Sequence, residues 1–283
     1  MNLTIGLHTP NGYAGAERRG AARIAALAEE LGYDSLWAAD HVVLPSPRVE
    51  PSPMEPDDPL IDPLVALAFA AARTERIRLA TGLVILPQRN PLVLAKQLAG
   101  VDVLSGGRLI FGMGVGYLEP EMRALGVPMA GRGRRAEEYL HAMRAMWSSP
   151  EPAFHGSFVD FSGIDAHPRP LQQPVPVVMG GHSPAAHDRA MRLADGWYGW
   201  MLGLRATAAQ LESLRSAGHE ADRRLHISVS PARRLDPETA RAYADLGVDR
   251  LIVVPPASLP LGELELFLER NAPGRLGARP LSA

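Results

Sequence analysis

The sequence predicts an α/β chain folded as a (β/α)8 barrel, and three observations predict it. Short, almost wholly apolar strand candidates recur along the chain. Amphipathic helical segments alternate with them, and eight such units fit into the 283 residues. Strands apolar on both faces belong to a parallel sheet covered on both sides. Eight βα units in roughly 250 residues is the size of a (β/α)8 barrel. A doubly wound sheet is the competing arrangement, but it announces itself with a glycine-rich first turn. The first turn here, "LHTPNGYAG", does not have that form.

The strand candidates, in order, are residues 3–8, 35–39, 77–86, 109–115, 176–179, 196–201, 225–230 and 251–254. Between them lie helix-period segments such as "AERRGAARIAALAEELG", "DPLVALAFAAART" and "SPAAHDRAMRLADG". Two insertions interrupt the rhythm. Residues 42–63 hold seven prolines and no periodicity, which predicts a long loop after the second strand. Loops of that length are commonly lids, and this one is expected to be ordered by ligand and to fold over the substrate side of the site. Between strands four and five, residues 130–147 read as an extra helix and "FHGSFVDFSG" as a short hairpin. One barrel domain over residues 1–283 is expected.

Composition removes several classes of function. The 29 Lys+Arg against 31 Asp+Glu give a net charge of −2 without a single-sign block, so neither nucleic acid nor an anionic membrane is expected as partner. There is no cysteine, which excludes thiolate catalysis and Cys-ligated metal sites. Lys96 is the only lysine and lies in a helical segment away from strand ends, so imine chemistry is not expected. The opening "MNLTIGLHTP" lacks a basic and then apolar leader pattern, and the longest apolar run, residues 64–72, is far short of the roughly 20 residues of a membrane span. A soluble cytoplasmic protein acting on a small molecule is the expectation.

In such a barrel, chemistry collects at the C-terminal strand ends. These carry His8, the Asp40-His41 pair, Gly82 onward, Gly116-Tyr117, Gly180-Gly181-His182-Ser183 and Trp200-Met201. The set is rich in glycine and aromatics and poor in acids. A metal hydrolase needs a His-x-His on strand one, where "GLHTP" offers a single histidine. Mg²⁺-assisted enolisation and glycoside hydrolysis need several carboxylates; Asp40 is the one good candidate and Glu119 a poor second. What remains suits a barrel that binds a large, flat, partly anionic cofactor.

Individual motifs leave alternatives open. "GMGVGY" (112–117) fails the dinucleotide fingerprint at Tyr117, so its glycines mean either a bulky ligand close to the backbone or tight strand–helix packing. "VVMGGHSPAA" (177–186) ends a strand in two glycines and starts a helix with Ser183 as cap and Pro184 at its first position. That is either an anion site at a helix N-terminus or an ordinary capped turn. Asp40-His41 alone is compatible with a structural Asx turn.

The stretches "LGYDSLWAADHVVLP", "RIRLATGLVILPQRNPLVLAKQLAGVDVLSGGRLIFGMGVGYLEPEM", "ALGVPMAGRGRRAEEYLHAMRAMW" and "VPVVMGGHSPAA…ADGWYGW" resemble the luciferase-like flavin- and deazaflavin-dependent oxidoreductases along nearly the full chain. They are most similar to the actinobacterial subgroup labelled probable F420-dependent oxidoreductases. The resemblance implies a TIM barrel binding F420, or alternatively FMN, at its strand C-termini. It implies a bulge with a non-prolyl cis peptide at Thr81-Gly82-Leu83 behind the ring, and Asp40 and His41 as catalytic residues at the reactive edge. Gly114, Gly116 and Tyr117 would pack on the cofactor with His8, and Gly180, Gly181, His182 and Ser183 would hold its phosphate or tail. F420-dependent sugar-phosphate and alcohol dehydrogenases of the family carry a tryptophan and a glutamate where this chain has Pro45 and Tyr117. The implied activity is hydride transfer between F420 and a small organic substrate. FMNH2-dependent monooxygenation and a non-catalytic flavin-binding barrel are the alternatives. A homodimer through "DPLVALAFAAAR" and "NPLVLAKQLAGVDVL" is implied as well.

Overall fold

The computed structural model describes residues 2–218 and 224–282. Its strands are β1 (Thr4–His8), β2 (Ser35–Ala38), β3 (Arg78–Thr81), β4 (Val84–Ile85), β5 (Leu109–Gly114), β6 (Phe154–His155), β7 (Asp160–Phe161), β8 (Val177–Gly180), β9 (Gly196–Leu202), β10 (His226–Pro231) and β11 (Arg250–Val253). The order β3-β2-β1-β11-β10-β9-β8-β5-β4, closed by a β3–β5 pairing, makes a parallel barrel of eight staves, with β3 and β4 sharing one of them. The strand expected over 77–86 is therefore broken at Gly82-Leu83, whose peptide bond is cis.

The helices are α1 (Arg18–Glu30), α2 (Pro63–Ala71), α3 (Pro91–Leu104), α4 (Glu119–Ala124), α5 (Arg132–Ser148), α6 (Pro184–Leu193), α7 (Leu204–Ala217), α8 (Pro237–Asp245) and α9 (Leu261–Arg270). Four of them start with one device. Asp62-Pro63, Asn90-Pro91, Ser183-Pro184 and Asp236-Pro237 each set a capping side chain on the first free amides, with proline at the first helical position. Among the described residues no helix is long and apolar enough to cross a membrane.

The helix over 130–147 is not an extra. It is α5, the barrel's own helix after β5. It packs beside α3, where the Trp147 indole donates to the Ala95 carbonyl at 3.0 Å. The additions on this stave are α4 before it and the two-residue β6–β7 pairing after it.

The loop after β2 follows an irregular course with its own anchors. Asn11 bonds the Ala39 amide and carbonyl and the Ile61 carbonyl, tying both feet of the loop together. The Arg48 guanidinium holds the tip through the Ser52 carbonyl and Glu55. Order here thus comes from intramolecular contacts, not from ligand alone.

Two layers of core exist. One lies between the barrel and its helices. The other fills the lumen and consists of Trp37, Ala80, Ile110, Val178, Tyr198 and Ile252, with Leu83 packed on it. Trp37 is the largest of these and is fully buried. It fits because the neighbouring stave offers Gly6, where a Cβ would lie 2.8 Å from Ser35 Oγ and 3.0 Å from Trp37 Nε1. Below it, the buried Arg250 guanidinium sits 5.5 Å from the indole ring and donates to Asp34 at 2.6 Å.

Trp37→Ala is expected to lower the unfolding free energy by about 3–5 kcal/mol, the cost of an unfilled aromatic site. Gly6→Val should cost about 1–3 kcal/mol by overfilling the same space. Urea unfolding of the two variants and the double mutant checks this; the double mutant should recover part of the loss if the two positions share one volume.

Candidate active site

At the C-terminal strand ends lies a cavity of about 670 Å³, within the size range of cofactor and drug-sized sites. It brings together His8, Asp40, His41, Gly82, Leu83, Gly114, Gly116, Tyr117, Gly180, Gly181, His182 and Ser183. Thr81 is the exception. Its hydroxyl is buried and donates to the Gly112 carbonyl at 2.6 Å, joining two staves behind the wall.

His8, at the end of β1, is buried and its Nε2 donates to the Gly82 carbonyl at 2.8 Å. A carbonyl can only accept, so the proton sits on Nε2 and Nδ1 accepts from the Thr9 hydroxyl. Burial pulls this imidazole down to about 4 against the Gly82 bond, so it is neutral near pH 7. Its ring lies 4.6 Å from that of Trp200.

The adjacent acid and imidazole after β2 face different partners. Asp40 is buried. Its Oδ1 accepts from Arg89 at 2.6 Å, and its Oδ2 accepts from Arg89 Nε at 3.3 Å and the Ile85 amide at 2.9 Å. Burial pushes this carboxyl up, and the guanidinium and the amide oppose that rise. Arg89 also donates to Asp62 at 2.8 Å, so one guanidinium grips both feet of the 42–62 loop.

His41 instead pairs with Glu121, which the sequence did not single out. His41 Nδ1 donates to Glu121 Oε2 at 2.8 Å, and the glutamate side chain has no exposed surface. The other oxygen accepts from the Val42 amide at 2.7 Å and from Gln88 at 3.2 Å. His41 Nε2 has no partner among the described residues. Glu119, the acid considered from the sequence, pairs with Arg123 on the surface. Helical phase was the available signal: Leu118, Glu121 and Met122 share the buried side of α4. Tyr117 stands edge-on to His41 with ring centres 6.0 Å apart, and burial, aided by Glu121, raises its phenol.

The glycines of "GMGVGY" divide between the two readings. A Cβ at Gly112 would overlap the Thr81 carbonyl, and one at Gly116 would lie 2.8 Å from Ile85, so both serve packing. Gly114 has no atom closer than 3.8 Å to such a Cβ and opens onto the cavity.

At the β8 end, Gly181 has φ +116, and Ser183 caps α6 by accepting from the Ala186 amide at 3.2 Å. His182 Nε2 accepts from the Trp200 amide at 3.1 Å, and burial lowers its basicity. Two arginines that the sequence did not mark join this end: Arg132 at the start of α5, donating to the Gly116 carbonyl at 3.0 Å, and Arg189 on α6, paired with Glu137 at 3.0 Å. A capped helix N-terminus with two guanidinium groups suits an anionic group. The cavity beside it is apolar, lined by Leu83, Ile85, Val115 and Trp200. Apolar lining and cationic end together fit a phosphate-bearing tricyclic cofactor.

A family model described as luciferase-like monooxygenase matches residues 2–273. An uncharacterized protein of Mycobacterium tuberculosis is 37% identical over 185 residues, 62% of this chain and 66% of that relative, so the match spans just under two thirds of its length. An FMNH2-dependent dimethylsulfone monooxygenase of Pseudomonas putida is 31% identical over 182 residues, 62% of this chain and 50% of that protein. The structure of the coenzyme F420-dependent tetrahydromethanopterin reductase of Methanopyrus kandleri superposes with a TM-score of 0.75 over 94% of this chain and 96% of its own; at 17% identity this is a likeness of fold.

The buried neutral His8 carries a pH consequence. Its folded value of about 4 lies below the 6.5 of an ordinary imidazole, so the unfolded chain binds more protons between them. Its contribution is complete above about pH 6.5 and is lost as pH falls towards 4, reaching on the order of 3 kcal/mol there. His8→Gln, which keeps an N–H donor without a titrating ring, should flatten the stability profile between pH 4 and 7. Urea midpoints of both proteins across that window measure the difference.

Proposed function

This chain belongs to the luciferase-like monooxygenase family, and from that premise we propose that it is an oxidoreductase moving a hydride between coenzyme F420 and a small organic substrate. The observation that carries the reading is the pairing, within one cavity, of a cationic helix end with an imidazole backed by a buried carboxylate. Arg132, Arg189, His182 and the amides that open α6 would hold the cofactor's anionic part. Leu83, Gly114 and Val115 would lie along its ring. When bound, the deazaflavin supplies the carbon that gives or accepts a hydride.

The residues of the chain do the rest. Glu121 fixes the His41 tautomer and sets a negative charge beside the imidazolium as it forms. His41 Nε2 then carries the proton exchanged with the substrate. Asp40 acts through Arg89 as a positioning residue, closing the base of the loop that bears His41. The loop lines the cavity with Pro53 and Met54 and leaves it open, which favours turnover over a non-catalytic barrel. The FMNH2-dependent relative favours a second reading, a flavin-dependent monooxygenase.

A fluorescence titration of the protein with F420 and FMN side by side separates the readings; tighter FMN binding would overturn the F420 assignment. His41→Ala should lower single-turnover hydride transfer by about 10²-fold with cofactor affinity little changed. Asp40→Asn should act mainly on stability, since it weakens a buried ion pair. Wild-type turnover in His41→Ala would remove the imidazole from the mechanism.

The outer faces of α2 and α3 expose Val65, Phe69, Val93 and Leu104, and a homodimer through this face belongs to the same proposal. Light scattering at micromolar concentration should give twice the chain mass, and Phe69→Glu should return it to one.

A further inference from the structure

Resting on the reading of the cavity as a deazaflavin or flavin site, we propose that its substrate is an uncharged, largely apolar carbonyl compound held by one polar atom at His41 and Tyr117. The wall made by the 42–62 loop and the segment after β11 consists of Pro53, Met54, Val254, Pro255, Pro256 and Leu259. None is charged, and three are prolines, which have no N–H to donate. The hydroxyls beside this wall are already used: Thr9 bonds His8, and Tyr13 donates to Asp58 at 3.1 Å.

Among the described residues, the charged side chains lining the cavity are Asp40, Arg132 and Arg189. Asp40 is consumed by Arg89 and the Ile85 amide, and both arginines belong to the α5–α6 end. A carboxylate or phosphate pressed against the proline wall would lose its water and gain no partner. A sugar would leave its hydroxyls unpaired in the same way. An apolar ring or chain gains from the same contact by burying its surface.

One polar end remains. The Tyr117 hydroxyl and His41 Nε2 have no partner among the described residues, and the two rings meet edge-on at 6.0 Å. Burial raises the Tyr117 phenol, so it stays a donor at neutral pH. With its Nδ1–H given to Glu121, His41 Nε2 is an acceptor in the neutral ring and becomes a donor once it carries the exchanged proton, so beside the Tyr117 hydroxyl it suits a carbonyl oxygen that turns into a hydroxyl.

Ligand-observed NMR and calorimetry on the full-length protein test this with three probes: cyclohex-2-en-1-one, its anionic counterpart cyclohexanecarboxylate, and glucose 6-phosphate. The protein is first saturated with whichever of F420 or FMN binds, or with inorganic phosphate if neither does, so that the arginine end is filled. The enone should bind at least about tenfold more tightly than either anion, because only the anions face an unpaired desolvation. Ala257→Arg, placing a cation on the exposed rim of this wall, should raise cyclohexanecarboxylate affinity by about tenfold and leave the enone unchanged. Tyr117→Phe should weaken the enone alone. Equal or tighter binding of an anion to the wild type, or no binding of the enone to the saturated protein, would overturn the proposal. Failure of F420 and FMN to bind while the enone does would instead overturn only the cofactor reading.

Discussion

The Trp37 indole in the barrel lumen is the contact on which the site depends. It occupies a level where β1 contributes Gly6 and no side chain. Its own backbone then builds upward: the Trp37 carbonyl accepts from the Thr9 amide at 2.8 Å, and the next carbonyl, of Ala38, accepts from the Gly82 amide at 2.7 Å. A Cβ at Gly82 would come within 2.9 Å of Trp37 Cβ, so the break in the third stave is fitted directly against β2. His8 bonds the Gly82 carbonyl from the other side, and Tyr198 rests 5.3 Å from the Trp37 ring. The cavity floor is thus one packed unit resting on a single aromatic plug, and interiors of this density transmit displacement instead of absorbing it.

Above that floor, two carboxylates, Asp40 and Glu121, are buried near each other without sharing a partner. Burial of an acid is tolerated where hydrogen-bond donors satisfy it. Asp40 receives a guanidinium and an amide; Glu121 receives an imidazole, an amide and a carboxamide. The division gives each acid a different task. One holds the chain's shape around the loop, and the other leaves a single imidazole nitrogen facing the cavity.

The parts of this arrangement that are periodic in sequence were legible there. Eight apolar strands, the amphipathic helices between them, and the Gly180-Gly181 turn with Ser183-Pro184 opening α6 all rest on local rules that the structure follows. The acid paired with His41 was not legible in the same way, because Glu121 lies 80 residues away and its burial depends on how a six-residue helix packs. Arg132 and Arg189 were hidden for a related reason: in a chain whose cations are nearly all arginine, nothing local separates an inward guanidinium from a solvated one. Thr81 shows the converse. It sits within the recognisable third-strand motif, yet strand alternation turns its hydroxyl towards the neighbouring stave and away from the cavity.

The loop between residues 42 and 62 joins these elements. A free segment of that length would have a wide range of end separations, and closing it costs entropy that grows slowly with length. Here Asn11 and Arg89 both bridge the residues at its two feet, so closure is fixed by groups inside the fold. Asp62 has a second function, capping α2 through the Leu64 amide at 2.9 Å, so the far foot is also the first turn of a barrel helix. With both feet fixed and Arg48 tying Ser52 and Glu55, the tip sets Pro53 and Met54 against the cavity. His41 lies one residue beyond the anchored Asp40. The alignment of the imidazole with Glu121 is therefore set by the foot and α4 and not by the tip, which separates the cavity wall from the His41–Glu121 pair within one continuous segment.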